Sequence, residues 1–442
     1  MRVVQGLENA RRFARQRAST WGSEPPPEVA ERIAAIFGRA MTPREAVSLI
    51  LESVRQKGDE ALRELTTRID GITLGEIEVP PGELLEAHRH VPADLLRALE
   101  LAAERVAAFA RASVPRSWRD ASMGVGELVA PLERVGLYAP GGTAAYPSTV
   151  IMTAVTARTA GVGEVILCTP SRDSGAAAVL AAAHIAHVDR VFRIGGAQAI
   201  AAMAYGTASV PRVDMVCGPG NIFVTLAKQL LFGEVGIDGL FGPTETVIVA
   251  DESADPRLCA ADLLAQAEHD PLASPVLITP WELLPPAVDE ELERQLPGLE
   301  RREIARTALD RQGAFVLTQD LDEALAVANL LSPEHLCLMV REPGRWLEKV
   351  RNAGGLFLGE GSPEVLGDYV AGPSHTMPTA GSARFASYLG AHQFVRRIPV
   401  VALEPSLARR LAGPAAIIAR AEGFGGHARA AELRAARRGE AK

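Results

Sequence analysis

The sequence predicts an α/β protein with two parallel-sheet domains, and three observations carry that reading. From Val135 onward, short aliphatic runs alternate with Ala-rich helical stretches, in "RVGLYAPGG", "EVILCTP", "RVFRIGG" and "MVCGPGN". A second alternating block opens at "ETVIVAD" and continues through "PVLITP", "GAFVLT", "HLCLMV" and "GGLFLGE", with helices such as "PRLCAADLLAQAEH" and "DLDEALAVANLL" between the runs. Runs of this kind, separated by helices, are what a parallel sheet covered on both faces requires. Finally, 442 residues are more than one ordinary core organises, so two main domains are expected.

The elements follow in order. Residues 1–24 form an amphipathic, helical arm carrying Arg11, Arg12, Arg15 and Arg17, without the apolar block of a signal peptide. After the break at "GSEPPPEV", helical periodicity runs through "AVSLILESVRQKGDEALRELTTRID" and "LLRALELAAERVAAFARAS", with few strand-like runs. A helical region without a sheet of its own must pack on one of the two blocks. Joined to the second block, it gives a larger domain of residues 25–137 plus 244–389, and residues 138–243 form the other. Beyond about Phe394 the pattern gives a short strand and two helices, too small for a core. Residues 390–442 are therefore expected to pack on another surface, that of a second subunit.

Composition excludes several classes. A formal net charge of -8, with Lys and Arg clustered only near the two chain ends, argues against a nucleic-acid partner. The C-terminal cluster of Arg434, Arg437 and Arg438 reads as a solvated helical tail. No apolar run approaches the roughly 18 residues of a membrane-spanning helix, so no membrane partner is expected. Cys168, Cys217, Cys259 and Cys337 are scattered and mostly flanked by aliphatics. They read as reduced core residues, which places the protein in a reducing cytosol.

Glycine-rich turns and a few titratable residues are the candidates for chemistry. "YAPGGTAAYPSTV" sets Gly141 and Gly142 after a strand, with Ser148 and Thr149 where a helix could be capped; "CGPGNIFVTLAKQ" sets Gly218, Gly220 and Asn221 at a helix start. Backbone N–H groups at such turns can hold an anion. Neither turn is the G-x-G-x-x-G fingerprint, and each alone reads first as an ordinary strand-to-helix connection. In "AADLLAQAEHDP", Gln266 and His269 are three apart on a helix and project from one face, which suits two ligands on one ion. Asp368 in "SPEVLGDYVAG" offers a third oxygen donor and His427 in "EGFGGHARA" a further imidazole. Zinc accepts that nitrogen and oxygen donor set, although Q-x-x-H on a helix is also a common solvated pair. "LSPEHLCLM" places Glu334 and His335 where a loop enters an apolar strand. A histidine beside a carboxylate can move protons near neutrality; the competing reading is a local cap and a satisfied boundary histidine. His88, His90, His184 and His187 read as surface or packing residues, and Cys217 as a small core residue.

Taken in order, "VGLYAPGG", "YPSTVIM", "GGAQAIAAMAYGT", "GPGNIFV", "ADESADP", "AADLLAQAEHDP", "SPEHL", "FLGEGSPEVLGDY", "MPTAGSARF" and "AEGFGGHA" closely resemble the histidinol dehydrogenase family over nearly the whole chain. The resemblance implies two incomplete Rossmann-like domains and an NAD-linked, zinc-dependent oxidation of an amino alcohol, through an aldehyde, to an acid. It implies Gln266, His269, Asp368 and His427 as zinc ligands, the last from the tail of a partner subunit in an intertwined homodimer. It further implies Glu334 and His335 as the catalytic acid/base pair and Tyr138, Gln198 and Asn221 as NAD contacts. Thr244, His375 and Glu422 fall at substrate positions, together with Gln266, His269, His335, Asp368 and His427. The sequence departs from the family pattern at Thr244, where many members have Ser, at Ser374, in place of a frequent Asn, and at Thr143, in place of a frequent Lys; "GIDGLFGP" also differs. These departures leave the catalytic groups in place and bear on substrate preference. The alternative is a paralogue acting on another small polar alcohol, such as a sulfonated diol. An idle metal-binding scaffold and a zinc hydrolase are the rivals from other classes.

Overall fold

Each apolar run becomes a strand of one of two parallel sheets in the computed structural model, which describes residues 1–17, 27–141, 145–170 and 176–436. Neighbouring strands of the larger sheet are Arg2–Gln5, Ala314–Leu317, Ser274–Thr279, Glu245–Ala250, His335–Met339 and Gly355–Leu358. Those of the smaller are Arg190–Phe192, Glu164–Cys168, Arg134–Tyr138, Met215–Cys217 and Gly236–Ile237. Numbering the strands of each block along the chain gives the order 3-2-1-4-5 in both, with Arg2–Gln5 added outside the third strand of the larger sheet. The direction of winding reverses beside the first strand, as in half of a Rossmann fold.

Period-two alternation decides what each face of the larger sheet buries. Val247, Val249, Val276, Ile278, Leu336 and Leu338 face the helices Leu7–Arg17 and Leu321–Leu331. Their neighbours Ile248, Ala250, Leu277, Phe315, Cys337 and Met339 face Pro256–Ala267, Leu284–Gln295 and Arg302–Arg311. All four cysteines are free and buried, as expected of core residues. No helix among the described residues is long and apolar enough to cross a membrane.

Two expectations are corrected. The N-terminal arm begins as a strand: Arg2–Gln5 pairs in parallel with Ala314–Leu317, and only then does the helix Leu7–Arg17 follow. A strand of four residues is too short to leave a periodic signal. The helical region after residue 27 also packs on the smaller sheet, not on the larger. Val47, Ile50, Leu51, Leu62 and Leu65 share one apolar cluster with Ile166, Phe192, Ile200 and Val224. The ion pair between Arg190 and Glu78, at 2.6 Å, ties the same region to that sheet. Periodicity shows that a helix has an apolar face without showing which neighbour receives it.

The chain divides into two compact units, Met1–Ser113 with Leu132–Phe394, and Val114–Pro131 with Val395–Lys442. Both parallel sheets lie in the first. In the second, Val395–Val401 pairs antiparallel with Val125–Pro131, which in turn pairs with Trp118–Asp120. Two helices follow, Pro405–Ala421 and Gly425–Ala436. Thus the tail holds the strand and two helices read from its sequence. Its large apolar side chains include the exposed Ile417, Ile418, Phe424 and Leu433.

A buried ion pair holds the glycine turn after Met215–Cys217. Lys228 Nζ lies 2.5 Å from Asp238 Oδ1, with side chains 2% and 0% exposed. Lys228 donates to Gly218 O at 2.8 Å, and Gly218 N–H donates to Asp238 Oδ2 at 2.6 Å. Gly218 has φ +117°, and a Cβ there would collide with Tyr138 O, so the pair fixes a backbone shape open only to glycine. Lys228→Met should strand a buried carboxylate and cost roughly 3–5 kcal/mol. A denaturation midpoint equal to that of the unmutated protein would contradict this account of the pair.

Candidate active site

Parallel strands put all their N-terminal ends on one edge of a sheet and all their C-terminal ends on the other. Glu334 and His335 stand at the N-terminal edge of the larger sheet, where His335 is the first residue of its strand. The helix Leu321–Leu331 ends at Ser332, which is buried in the left-handed region at φ 50°. Pro333 then turns the chain into the strand. Gly354 N–H donates to Pro333 O at 2.9 Å and Gly355 N–H to Glu334 O at 2.8 Å, so the two carbonyls that precede His335 are both engaged.

His335 is 3% exposed. Its Nδ1 lies 3.1 Å from the carbonyl of Glu245 and its Nε2 lies 3.2 Å from Asp368 Oδ1. A carbonyl can only accept, so Nδ1 carries a proton. Burial opposes a charged ring, but the carboxylates of Glu334 and Asp368 outweigh it and raise the imidazole well above its usual range. Glu334 Oε2 is 3.7 Å from Nδ1 and accepts from Thr244 Oγ1 at 2.7 Å and from Glu245 N–H at 3.2 Å. Burial raises the Glu334 carboxyl, with His335 and Thr244 acting against that rise. Burial also acts to raise Asp368, but there the positive field of His335 wins and the group is held below its usual range.

Thr244 joins Glu334 to Gln266, whose Oε1 is placed 2.8 Å from the hydroxyl. One hydroxyl hydrogen cannot serve two acceptors. With the Gln266 amide turned about its axis, Nε2–H donates to Thr244 and Thr244 donates to Glu334, which satisfies all three groups and frees the amide oxygen. Gln266 sits in the last turn of Pro256–Ala267. His269 lies beyond that helix, contrary to expectation, in a turn that keeps winding: His269 N–H donates to Gln266 O at 3.1 Å. Its ring is near enough to Asp368 for each to affect the other's protonation, although burial is what chiefly lowers His269.

The six-residue helix Glu364–Tyr369 carries Asp368. One turn before it, Glu364 is fully buried and accepts from Thr246 Oγ1 at 2.6 Å, leaving Oε1 without a partner. Thr246 is the strand partner of His335. Thus Glu364 anchors the short helix directly behind the histidine. Sequence reasoning missed it, although two acids four apart in "PEVLGD" already share a helix face. His375 follows in the next loop; its Nδ1–H donates to the backbone carbonyl of Asp368 at 2.8 Å, and burial lowers its pKa.

The smaller sheet presents its C-terminal edge. Tyr138 ends its strand, its hydroxyl accepts from Gly196 N–H at 3.0 Å, and burial pushes it up to about 12. Gln198 is 1% exposed, and neither its Oε1 nor its Nε2 has a partner. Asn221 caps Ile222–Leu231 by accepting from Phe223 N–H at 3.1 Å and Val224 N–H at 3.3 Å. Strands one and four of this sheet, which end at Tyr138 and Cys217, flank the reversal in strand order where such sheets bind ligands. Gly142 and Thr143 lie outside the described residues, as do Arg437 and Arg438. Neither Ser148 nor Thr149 caps the helix Pro147–Val150; the Thr149 hydroxyl instead meets His375 Nε2 at 3.2 Å.

Glu422 and His427 belong to the second unit and are exposed, with the Phe424 ring 5.4 Å from that of His427. Among the described residues, no three His, Cys, Asp or Glu side chains are grouped as a metal cluster. Gln266, His269 and Asp368 together offer one imidazole, one carboxylate and one carboxamide.

Two half-Rossmann sheets, one with a reversal of strand order at its C-terminal edge and the other with a buried histidine among carboxylates at its N-terminal edge, define an α/β protein equipped for proton transfer. Residues 39–435 match the sequence model of histidinol dehydrogenase. The chain is 53% identical to the histidinol dehydrogenase of Thermus thermophilus, covering 92% of this chain and 99% of that protein. It is 49% identical to that of Deinococcus radiodurans, covering 98% and 100%. The crystal structure of histidinol dehydrogenase from Elizabethkingia anophelis superposes with a TM-score of 0.89 at 30% identity, covering 98% of each chain. The chain therefore belongs to the histidinol dehydrogenase family of oxidoreductases.

Burial pushes the Glu364 carboxyl up to about 8, so the folded protein binds this proton more tightly than the unfolded chain does. Stability should then fall as pH rises from the unfolded carboxyl range toward 8, by an amount on the order of 4 kcal/mol. Glu364→Gln has no proton to lose. Its denaturation midpoint relative to the parent should rise between pH 5 and pH 8, and parallel profiles would show that Glu364 is ionised when folded.

Proposed function

We propose that this protein oxidises L-histidinol to L-histidine through bound histidinaldehyde, the last step of histidine biosynthesis, with one zinc ion per subunit and two NAD per turnover. The observation that carries the reading is the convergence of Glu334, His335, Asp368, Thr244 and Gln266 in one cluster, hydrogen-bonded on either side of the Glu334–His335 contact. Relatives about half identical to this chain bear the name of that activity.

The residues fit both cofactors. Gln266, His269 and Asp368 would hold zinc, with His427 from a second copy as the fourth donor; nitrogen and oxygen donors without thiolate suit an exchangeable catalytic ion. Exposed Ile417, Ile418, Phe424 and Leu433 in the tail support a homodimer that covers them. Tyr138, Gln198 and Asn221 would contact NAD. A buried amide with both polar atoms unpaired is costly unless a ligand engages it, which favours Gln198 in that role. When bound, zinc would orient the amino alcohol and NAD would accept hydride in each of the two oxidations.

The chain's own groups then have distinct tasks. With Asp368 holding zinc, its charge would be shared and that carboxylate would no longer hold His335 as imidazolium. Its Nδ1 stays committed to the Glu245 carbonyl, so Nε2 takes the proton from the carbinol hydroxyl. Glu334, oriented by Thr244, takes a proton from water as it adds to the aldehyde while His335 returns its proton to the carbonyl oxygen, and the neutral His335 then removes a proton of the hydrate. Thr244, His375 and Glu422 line the substrate position, with Glu422, like His427, coming from the tail. A reducing cytosol suits four unpaired cysteines.

A steady-state assay of NAD reduction, with histidinol offered beside a panel of small polar alcohols including a sulfonated diol, tests the assignment. Preference for another alcohol would overturn the substrate while keeping the chemistry. His335→Gln and Glu334→Gln should lower kcat by at least a hundredfold, on the scale of lost acid–base catalysis, with zinc retained. His269→Asn should lose zinc. Retained turnover in His335→Gln would refute its role.

A further inference from the structure

We propose that Thr149 is a positioning residue that latches the larger sheet's acid–base edge to the smaller sheet's cofactor edge through His375. This rests on the functional reading above, which puts hydride transfer between those two edges.

Four threonines line the stretch from Pro147 to Thr159. Three behave as threonine usually does inside a helix, donating to a carbonyl one turn back: Thr153 to Thr149 O at 2.6 Å, Thr156 to Met152 O at 2.6 Å and Thr159 to Val155 O at 2.7 Å. Thr149 does not. Its hydroxyl instead reaches His375 Nε2, 226 residues along the chain and attached to the other sheet. The stretch that carries it is stiff. Thr149 is 1% exposed, and the π-helical turn Ile151–Val155 that follows is buried throughout.

The receiving side is equally constrained. His375 Nδ1–H is spent on the backbone carbonyl of Asp368, so in the neutral ring Nε2 holds a lone pair that needs a donor. The Thr149 hydroxyl is that donor. Asp368, whose carbonyl fixes His375, turns its carboxylate to His335 Nε2. Two hydrogen bonds, neither of which uses the Asp368 carboxylate, thus lead from a rigid helix of one sheet to the backbone of Asp368, beside the proton-transferring imidazole of the other. Reactions that depend on donor–acceptor distance can lose about a hundredfold from a displacement of about 1 Å, so the latch should act on kcat.

Thr149→Val keeps the side chain's shape and loses the donor, Thr149→Ala loses both, and Thr149→Ser keeps the hydroxyl. In the zinc-loaded enzyme, Val and Ala should lower kcat at least tenfold, with KM for histidinol and NAD and the zinc content within threefold of the parent. Hydrogen–deuterium exchange of residues 370–379 should speed up in both. Ser should restore kcat to within threefold and exchange to the parental rate. Parental kcat and exchange in Val would overturn the proposal, as would equal damage in Ser and Val, which would assign the effect to packing. A fall in kcat with unchanged exchange would place the hydroxyl on substrate instead, and also overturn it. If the parent fails to oxidise histidinol, the functional reading fails, and the exchange rates alone decide whether Thr149 holds the loop.

Discussion

A buried imidazole surrounded by carboxyl groups is the constraint on which the site depends. His335 has almost no contact with solvent, so its charge is set by Glu334, Asp368 and the Glu245 carbonyl and not by bulk water. Each of those partners must be held in place, since an unpaired charge at that depth costs several kcal/mol. Thr244 orients Glu334, Thr246 holds Glu364 behind the strand, and Glu364 anchors the short helix that delivers Asp368. The site is therefore an extension of the sheet itself, built from residues in and beside the first turns of adjacent strands.

The two sheets share one strand order but use opposite edges. The smaller sheet offers its C-terminal edge at the reversal of strand order, where α/β sheets ordinarily bind ligands. By contrast, the larger sheet offers its N-terminal edge, with Thr244, Glu334 and His335 leading into adjacent strands. The same topology thus presents a reversal of strand order at one edge in one half and acid–base groups at the opposite edge in the other. The Lys228–Asp238 pair shows how firmly the ligand edge is fixed, because it engages both polar groups of Gly218 without any help from solvent.

Much of this was legible in the sequence. Aliphatic runs separated by Ala-rich helices marked the strands of both parallel blocks, since burial on both faces leaves a local signature. "GPGN" placed Asn221 at a helix start, where the structure makes it the cap, and the Glu334–His335 pair stood visibly at a strand entrance. What was hidden depends on partners far apart in sequence. The four-residue strand Arg2–Gln5 is recognisable only beside Ala314–Leu317. Similarly, Val395–Val401 is placed by the hairpin at 118–131, which no local pattern connects to it. Thr149 looked like a cap because a threonine near a helix start usually is one; its hydroxyl finds an acceptor that only the tertiary fold brings near. Glu364 was passed over because a glutamate in a helix is usually solvated, whereas this one is fully buried.

Diffraction data collected at the zinc edge from crystals grown with the metal test the central claim most directly. The account predicts one anomalous peak coordinated by Gln266, His269 and Asp368, with Asp368 Oδ1 drawn away from His335 Nε2 so that the imidazole is free to accept a proton. An ion bound elsewhere, with the Asp368–His335 hydrogen bond intact, would contradict it.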